Sequence, residues 1–318
     1  MEKDLQLKRY LSDNDRYADL INGFCFGGKQ IVKADALEEM DTQTSVWLRL
    51  PFSTRGKRKR NAKYRDLIRK VALGVGFVVV GIENQDEVNY LMPLRTMEYD
   101  AGEYGRQAAA IRKIVRKKKG IAKGEFLSGF EKDSRLHPCV TIVIFFGKKW
   151  DGSRDLHEIL DFADIPEEMR GLIGNYRINL LEVRKINPAV FKTDLKQVFN
   201  FVRNAEDKVK LKELVQSDPA YLKMEEDAYE TVAAFTGTEE FAVAKQQYME
   251  GGKVNMCRAI KEMLEDSRME GREEGIRGFV SLCCELKFSQ ADTKDKIEEK
   301  YCISREEAGK YIEKYWEV

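Results

Sequence analysis

Histidine is almost missing from this chain of 318 residues, which has only His137 and His157. The six cysteines, at positions 25, 139, 257, 283, 284 and 302, form no Cys-x-x-Cys pair. A tetrahedral zinc site therefore has no obvious donor set, and any metal would be a hard ion on carboxylates. The irregular cysteine spacing offers no disulfide framework either, so reduced thiols in a cytoplasmic protein are expected. No window approaches 18 uncharged apolar residues, which argues against a membrane span. The opening MEKDLQLKRY lacks the apolar segment of a secretory leader. Net charge is also nearly absent, at +1.

That balance hides an asymmetry. Residues 52–70 hold nine Lys/Arg against the single acid Asp66, and residues 106–123 hold eight Lys/Arg and no acid. The acid excess lies beyond residue 200, in helical sequence. A basic first half points to a polyanionic partner, and the length suggests two domains.

Local patterns give an order of elements. Tyr17, Leu20, Ile21 and Phe24 recur at helical spacing up to Gly27-Gly28. KQIVKADAL and QTSVWLRL read as short extended pieces, and residues 64–85 as a β-hairpin. A helix follows, with Pro93 near its start and Gly120 at its end. Residues 121–137 read as a polar loop, 139–147 as a buried strand and 175–185 as another. This is an α-β-β-β-α-β order. From about residue 190 the pattern turns helical: LKQVFNFVRNAEDKVKLKELV is expected as one helix, and Ser304 to cap the last. The three short helices at the end either read DNA or simply pack.

The hairpin YRDLIRKVALGVGFVVVGIENQ raises the functional question. Gly74-Val75 suits a two-residue type II′ turn. In that register opposed residue numbers sum to 149, so Leu73 faces Gly76 and Asp66 faces Glu83. Gln85 shares the face, because side chains alternate along a strand. Two carboxylates that close need a positive group between them, or one must stay protonated. The alternatives are a solvated hairpin end paired with an arginine such as Arg65 or Arg95, and a divalent cation. Basic sequence on both sides of the acids is what a phosphodiester substrate requires.

Four segments, YADLINGFCFGGKQIV, the hairpin, LMPLRTMEYDAGEYGRQ and HPCVTIVIFFGKKWDGSRDLHEIL, resemble in order the recombination-promoting nuclease (Rpn)/putative transposase family of the PD-(D/E)XK nuclease superfamily. Together they cover roughly residues 15–190. MEGREEGIRGFVSL and ISREEAGKYIEKYW resemble that family's C-terminal part. The resemblance implies an α/β fold of α+β mixed-sheet type. A PD-(D/E)XK restriction-endonuclease-like core would occupy residues 1–190, and a helical region, oligomerising or DNA-contacting, residues 191–318.

It further implies a Mg²⁺-dependent DNA endonuclease, with Mn²⁺ as a substitute, linked to recombination, mobile elements or defence. Asp66 and Glu83 would be catalytic and metal-binding, the Asn84 carbonyl an added ligand, and Gln85 the orienter of a water. Gln85 stands where many superfamily members carry lysine, and glutamine cannot act as a base. Arg58, Lys59, Arg60, Lys63, Arg95, Lys117 and Lys118 would contact DNA. Asp19 or Glu38 could complete the site, or serve on the surface. Tyr99, Tyr104, Trp47 and Trp150 read as packing residues, and the two histidines as loop and surface residues. A binding protein without catalysis, or a helical interaction protein that assembles homo-oligomers, remains the alternative.

Overall fold

The computed structural model describes residues 2–40, 43–47, 60–64, 66–73, 76–236 and 245–316. The chain divides into two units, Met1–Val254 and Asn255–Val318. The first is a mixed α/β unit built on a five-stranded sheet.

Two helices open it, α1 (Glu2–Leu11) and α2 (Asn14–Phe26). Asp13 caps α2 by accepting from the Arg16 N–H, and Gly27 ends it at φ 61°, a left-handed value that glycine adopts without strain. The strands are β1 (Leu37–Glu39), β2 (Gln43–Trp47), β3 (Arg60–Tyr64), β4 (Leu67–Leu73) and β5 (Gly76–Gln85). Then come α3 (Met92–Val115), α4 (Lys123–Ser128), β6 (Cys139–Phe145), α5 (Glu167–Arg170) and β7 (Asn179–Glu182).

The main sheet runs β1-β4-β5-β6-β7, while β2 and β3 form a separate antiparallel pair. β4 and β5 are antiparallel, and β6 and β7 join in parallel, which makes the sheet mixed. The order α2-β1-β4-β5-α3-β6 reproduces the expected α-β-β-β-α-β sequence of elements around this sheet. The β2–β3 pair adds to that sequence. The turn expected at Gly74-Val75 lies outside the described residues.

β6 shows why the middle of the sheet is buried: its run CVTIVIF leaves Ile142, Val143, Ile144 and Phe145 inaccessible. On one face Val143 and Phe145 pack with Met92 of α3 and with Trp150. On the other, the Tyr17 hydroxyl of α2 donates to the Val80 carbonyl at 2.7 Å. Trp150 is thus a packing residue, as expected. Residues 121–137 are not all loop, because α4 forms within them. Helix α3 ends at Val115, before Gly120.

Three further helices, α6 (Leu195–Asn204), α7 (Lys208–Ser217) and α8 (Glu226–Thr236), belong to the first unit. By their contacts the helices that follow residue 190 group with the sheet as far as Val254. Buried Arg16 supplies the physical reason, since it makes two-pronged ion pairs with Asp194 and with Asp227. The single helix expected over 195–215 is two, broken where Asp207 caps α7 by accepting from the Lys210 N–H.

The second unit holds a long helix, Met256–Glu285, followed by helices Gln290–Tyr301 and Arg305–Tyr315. Ile276, Val280, Ile297, Ala308 and Ile312 form its core. Ser304 caps the last helix, as its sequence predicts. Among the described residues no helix is long and apolar enough to cross a membrane.

Candidate active site

The hairpin register brings the predicted acids together. Pairing runs from Leu73↔Gly76 to Leu67↔Ile82, so opposed numbers sum to 149 as expected. Asp66 lies one residue beyond the last pair. Its Oδ2 accepts from the Asn84 backbone N–H at 2.7 Å, which fixes the carboxylate at the end of the hairpin. Charge-assisted hydrogen bonds of this kind are stronger than neutral ones.

Glu83 is 2% exposed. Its Oε1 receives the Arg95 Nη2 at 2.6 Å, the Tyr99 hydroxyl at 3.2 Å and the Gln85 Nε2 at 3.3 Å. The Arg95 Nε in turn donates to the Tyr99 oxygen at 2.7 Å, so the three side chains form a closed ring of bonds. Burial works to lower the Arg95 pKa. The charge of Glu83, the Tyr99 hydrogen bond and the charge of Asp66 outweigh it and hold that pKa above its ordinary value. Burial first, and then the Glu83 charge, push Tyr99 up to about 12. Arg95 therefore stands within electrostatic reach of both acids.

An arginine partner is one of the two explanations open for the acid pair, and for Glu83 it is present. The solvated strand end that goes with it is not, because the acid is buried. Tyr99 is more than packing: its hydroxyl is part of the ring that holds Glu83. The spacing of Arg95 and Tyr99, four residues apart on a helix and hence on one face, carries that signal.

Gln85 also donates from Nε2 to the Asn84 carbonyl at 2.7 Å, the backbone atom expected as an extra metal ligand. The Asn84 side chain points to the opposite face by strand alternation. It is buried, and among the described residues neither of its amide atoms has a hydrogen-bond partner. No feature of the strand's packing explains this.

Among the described residues no group of three or more His, Cys, Asp or Glu could hold a metal. Asp19 and Glu38 account for themselves elsewhere. Asp19 is buried, and its Oδ2 accepts from the Lys192 and Thr193 N–H groups and the Thr193 hydroxyl, which anchors the turn before α6. Glu38 is exposed on β1, 3.7 Å from Lys70.

The basic candidates scatter. Arg58 and Lys59 lie outside the described residues. Arg60 and Lys63 sit on β3 opposite Trp47 and Thr44, with the side chains of all four outside the description. Lys117 is exposed beyond the end of α3, and Lys118 pairs with Glu131 at 2.6 Å. The Tyr104 hydroxyl accepts from the Cys139 N–H, and Gln107 holds the His137 backbone. His157 meets the Ile173 carbonyl through Nε2 at 2.9 Å.

A cleft of about 850 Å³ near Asp13, Arg16, Asp194 and Asp227 is lined by none of the predicted site residues. Its central arginine is already matched by two carboxylates, so it is a structural ion-pair network. Comparison with protein-family models, curated proteins and solved structures finds no match for the chain.

Proposed function

We propose that this chain is a metal-dependent DNA endonuclease of the PD-(D/E)XK kind, acting in the cytoplasm and assembling through its C-terminal helices. The observation that carries the reading is the meeting of Asp66, Asn84, Glu83 and Arg95 at one end of a register-fixed hairpin. Asp66, Glu83 and the Asn84 carbonyl are hard oxygen donors. Two carboxylates suit Mg²⁺, whose other positions are filled by water and phosphate oxygens. Held by these groups, Mg²⁺ or Mn²⁺ would supply Lewis-acid stabilisation of charge on the phosphoryl oxygens.

The chain's own residues do the rest. The Asn84 N–H orients Asp66, and Arg95 with Tyr99 holds the buried Glu83 side chain in place. The Gln85 amide can orient a water but cannot take its proton. Released from Glu83, the Arg95 guanidinium is a two-pronged donor for a phosphate.

The Arg95–Glu83 pair also favours a second reading, a nucleic-acid-binding protein without hydrolysis, because the buried acid is already neutralised by a side chain. Supercoiled plasmid incubated in Mg²⁺, Mn²⁺ or EDTA with wild type, Asp66→Ala and Glu83→Ala separates the two. Nicking that needs the metal and vanishes in both variants is expected. DNA binding without cleavage by any of them selects the second reading. Cleavage unchanged in both variants rules out the acid pair.

A further inference from the structure

The end of α3 and the short helix α4 make a surface that the acid pair does not use. Gly129 closes α4 at φ 69°, and a Cβ there would meet the Arg112 side chain at 2.4 Å. The chain thus turns tightly over α3, and the Lys118–Glu131 ion pair ties the two segments together. Val115, between them, is buried. This docking leaves Ile114, Phe126 and Leu127 at 61%, 56% and 73% exposure. On the same two helices and the segment joining them, Lys113, Arg116, Lys117, Lys119 and Lys123 are exposed and make no ion pair among the described residues. Apolar side chains standing singly on a surface need no explanation, but an aromatic ring and two aliphatic chains within a fringe of five cations do.

We propose that this platform binds single-stranded nucleic acid, with unpaired bases against Phe126 and Leu127 and phosphates on the surrounding lysines and arginines. The charge selects a polyanion: residues 106–123 contain no acid, and of the acids beside Phe126 and Leu127, Glu125 accepts from the Lys132 N–H and Glu131 is paired with Lys118. The exposed ring selects among polyanions. A duplex hides its base faces in the stack and offers a convex surface only its phosphates, whereas a single strand presents a π-face at every base. An anionic membrane fits less well. Interfacial binding uses a long amphipathic helix lying flat, but α4 has six residues, and the start of α3 is held against the sheet through Met92. Nineteen residues of α3 separate Ile114 from Arg95, about 28 Å at 1.5 Å per residue. The inference extends the nucleic-acid reading above, but it rests on this surface and not on the acid pair.

The full-length protein is tested in EDTA, so binding is read without hydrolysis and failure of the metal-site reading leaves the result intact. The probes are a fluorescent oligonucleotide, the same sequence as a duplex, and vesicles of phosphatidylserine and phosphatidylcholine. A strand carrying 2-aminopurine reports stacking directly. The single strand is expected to bind more tightly than the duplex, with quenching of the 2-aminopurine. Phe126→Ala is expected to weaken single-strand binding roughly 5- to 150-fold, the range for losing one stacked base. Phe126→Trp should retain it. Lys119→Ala should reduce the slope of log affinity against log salt by roughly 0.7. Preference for the duplex, equal binding by wild type and Phe126→Ala, or binding of vesicles without binding of the single strand would each overturn the proposal.

Discussion

Replacing Arg95 by methionine keeps a side chain over the Tyr99 ring but removes the charge facing Glu83. Tyr99 and Gln85, which also bond the carboxylate, are neutral and do not replace that charge. Breaking a buried pair by removing one partner costs about 3–5 kcal/mol. Arg95 is half exposed, so Arg95→Met is expected to cost about 2–3 kcal/mol at neutral pH, read from urea unfolding. Burial without a cation favours the protonated acid, so the deficit should narrow as pH falls. A deficit that is constant with pH would assign the loss to packing instead.

Tyr99 gives a second test at the same scale. Its pKa is raised to about 12 from the usual 10.0, so between those values the folded state binds more protons than the unfolded one. Stability contributed by the neutral phenol is complete below pH 10 and is lost as pH rises towards 12. Unfolding midpoints measured over that window should fall less steeply in Tyr99→Phe than in wild type. Tyr10, Tyr176 and Tyr229 are raised in the same direction, so a residual fall remains in the variant.

Two glycines in helices show how packing decides the sign of one substitution. Alanine is the better helix former by about 1 kcal/mol. Gly271 lies in the long helix Met256–Glu285, and a Cβ added there would meet nothing within 4 Å. Gly271→Ala should therefore stabilise its unit by about 1 kcal/mol. Gly23 in α2 is opposite: an added Cβ would lie 2.2 Å from the Phe191 ring. Gly23→Ala is expected to destabilise by about 1–3 kcal/mol through overpacking, measured by the same urea titration. Equal effects at the two positions would show that α2 and the 188–191 turn yield freely.

Local pattern is enough to read α2, the β4–β5 register and β6, because each is written in contiguous residues: a capped apolar stripe, a numbered hairpin and a β-branched run. It is not enough for the break between α6 and α7. The sequence NAEDKV is compatible with continuous helix, and only the Asp207 cap marks the new start. In the site, the acids are legible from pairing arithmetic. The Arg95–Tyr99–Glu83 ring requires knowing that α3 lies over that face of β5, which is tertiary information. The anchoring role of Asp19 is hidden for the same reason, since its partners at Lys192 and Thr193 are far away in sequence.

At the level of the whole molecule, the unit beyond residue 254 has a hydrophobic cluster of its own, Ile276, Val280, Ile297, Ala308 and Ile312. The core of the second unit is small, and Ile297 sits fully buried within it. Ile297→Ala should cost that unit about 2–5 kcal/mol. Calorimetry should then show a transition moving to lower temperature while the remaining heat absorption stays in place. Movement of the whole profile would mean that the two units unfold as one.

The groups that hold Glu83 are close to it in synthesis order. Gln85, Arg95 and Tyr99 follow within a short stretch of chain. At about 5–20 residues per second, Tyr99 is added roughly 10–40 s before Val318. The ribosome therefore delivers the buried carboxylate close in time to its arginine partner. A nascent chain has them in hand long before the C-terminal helices are made.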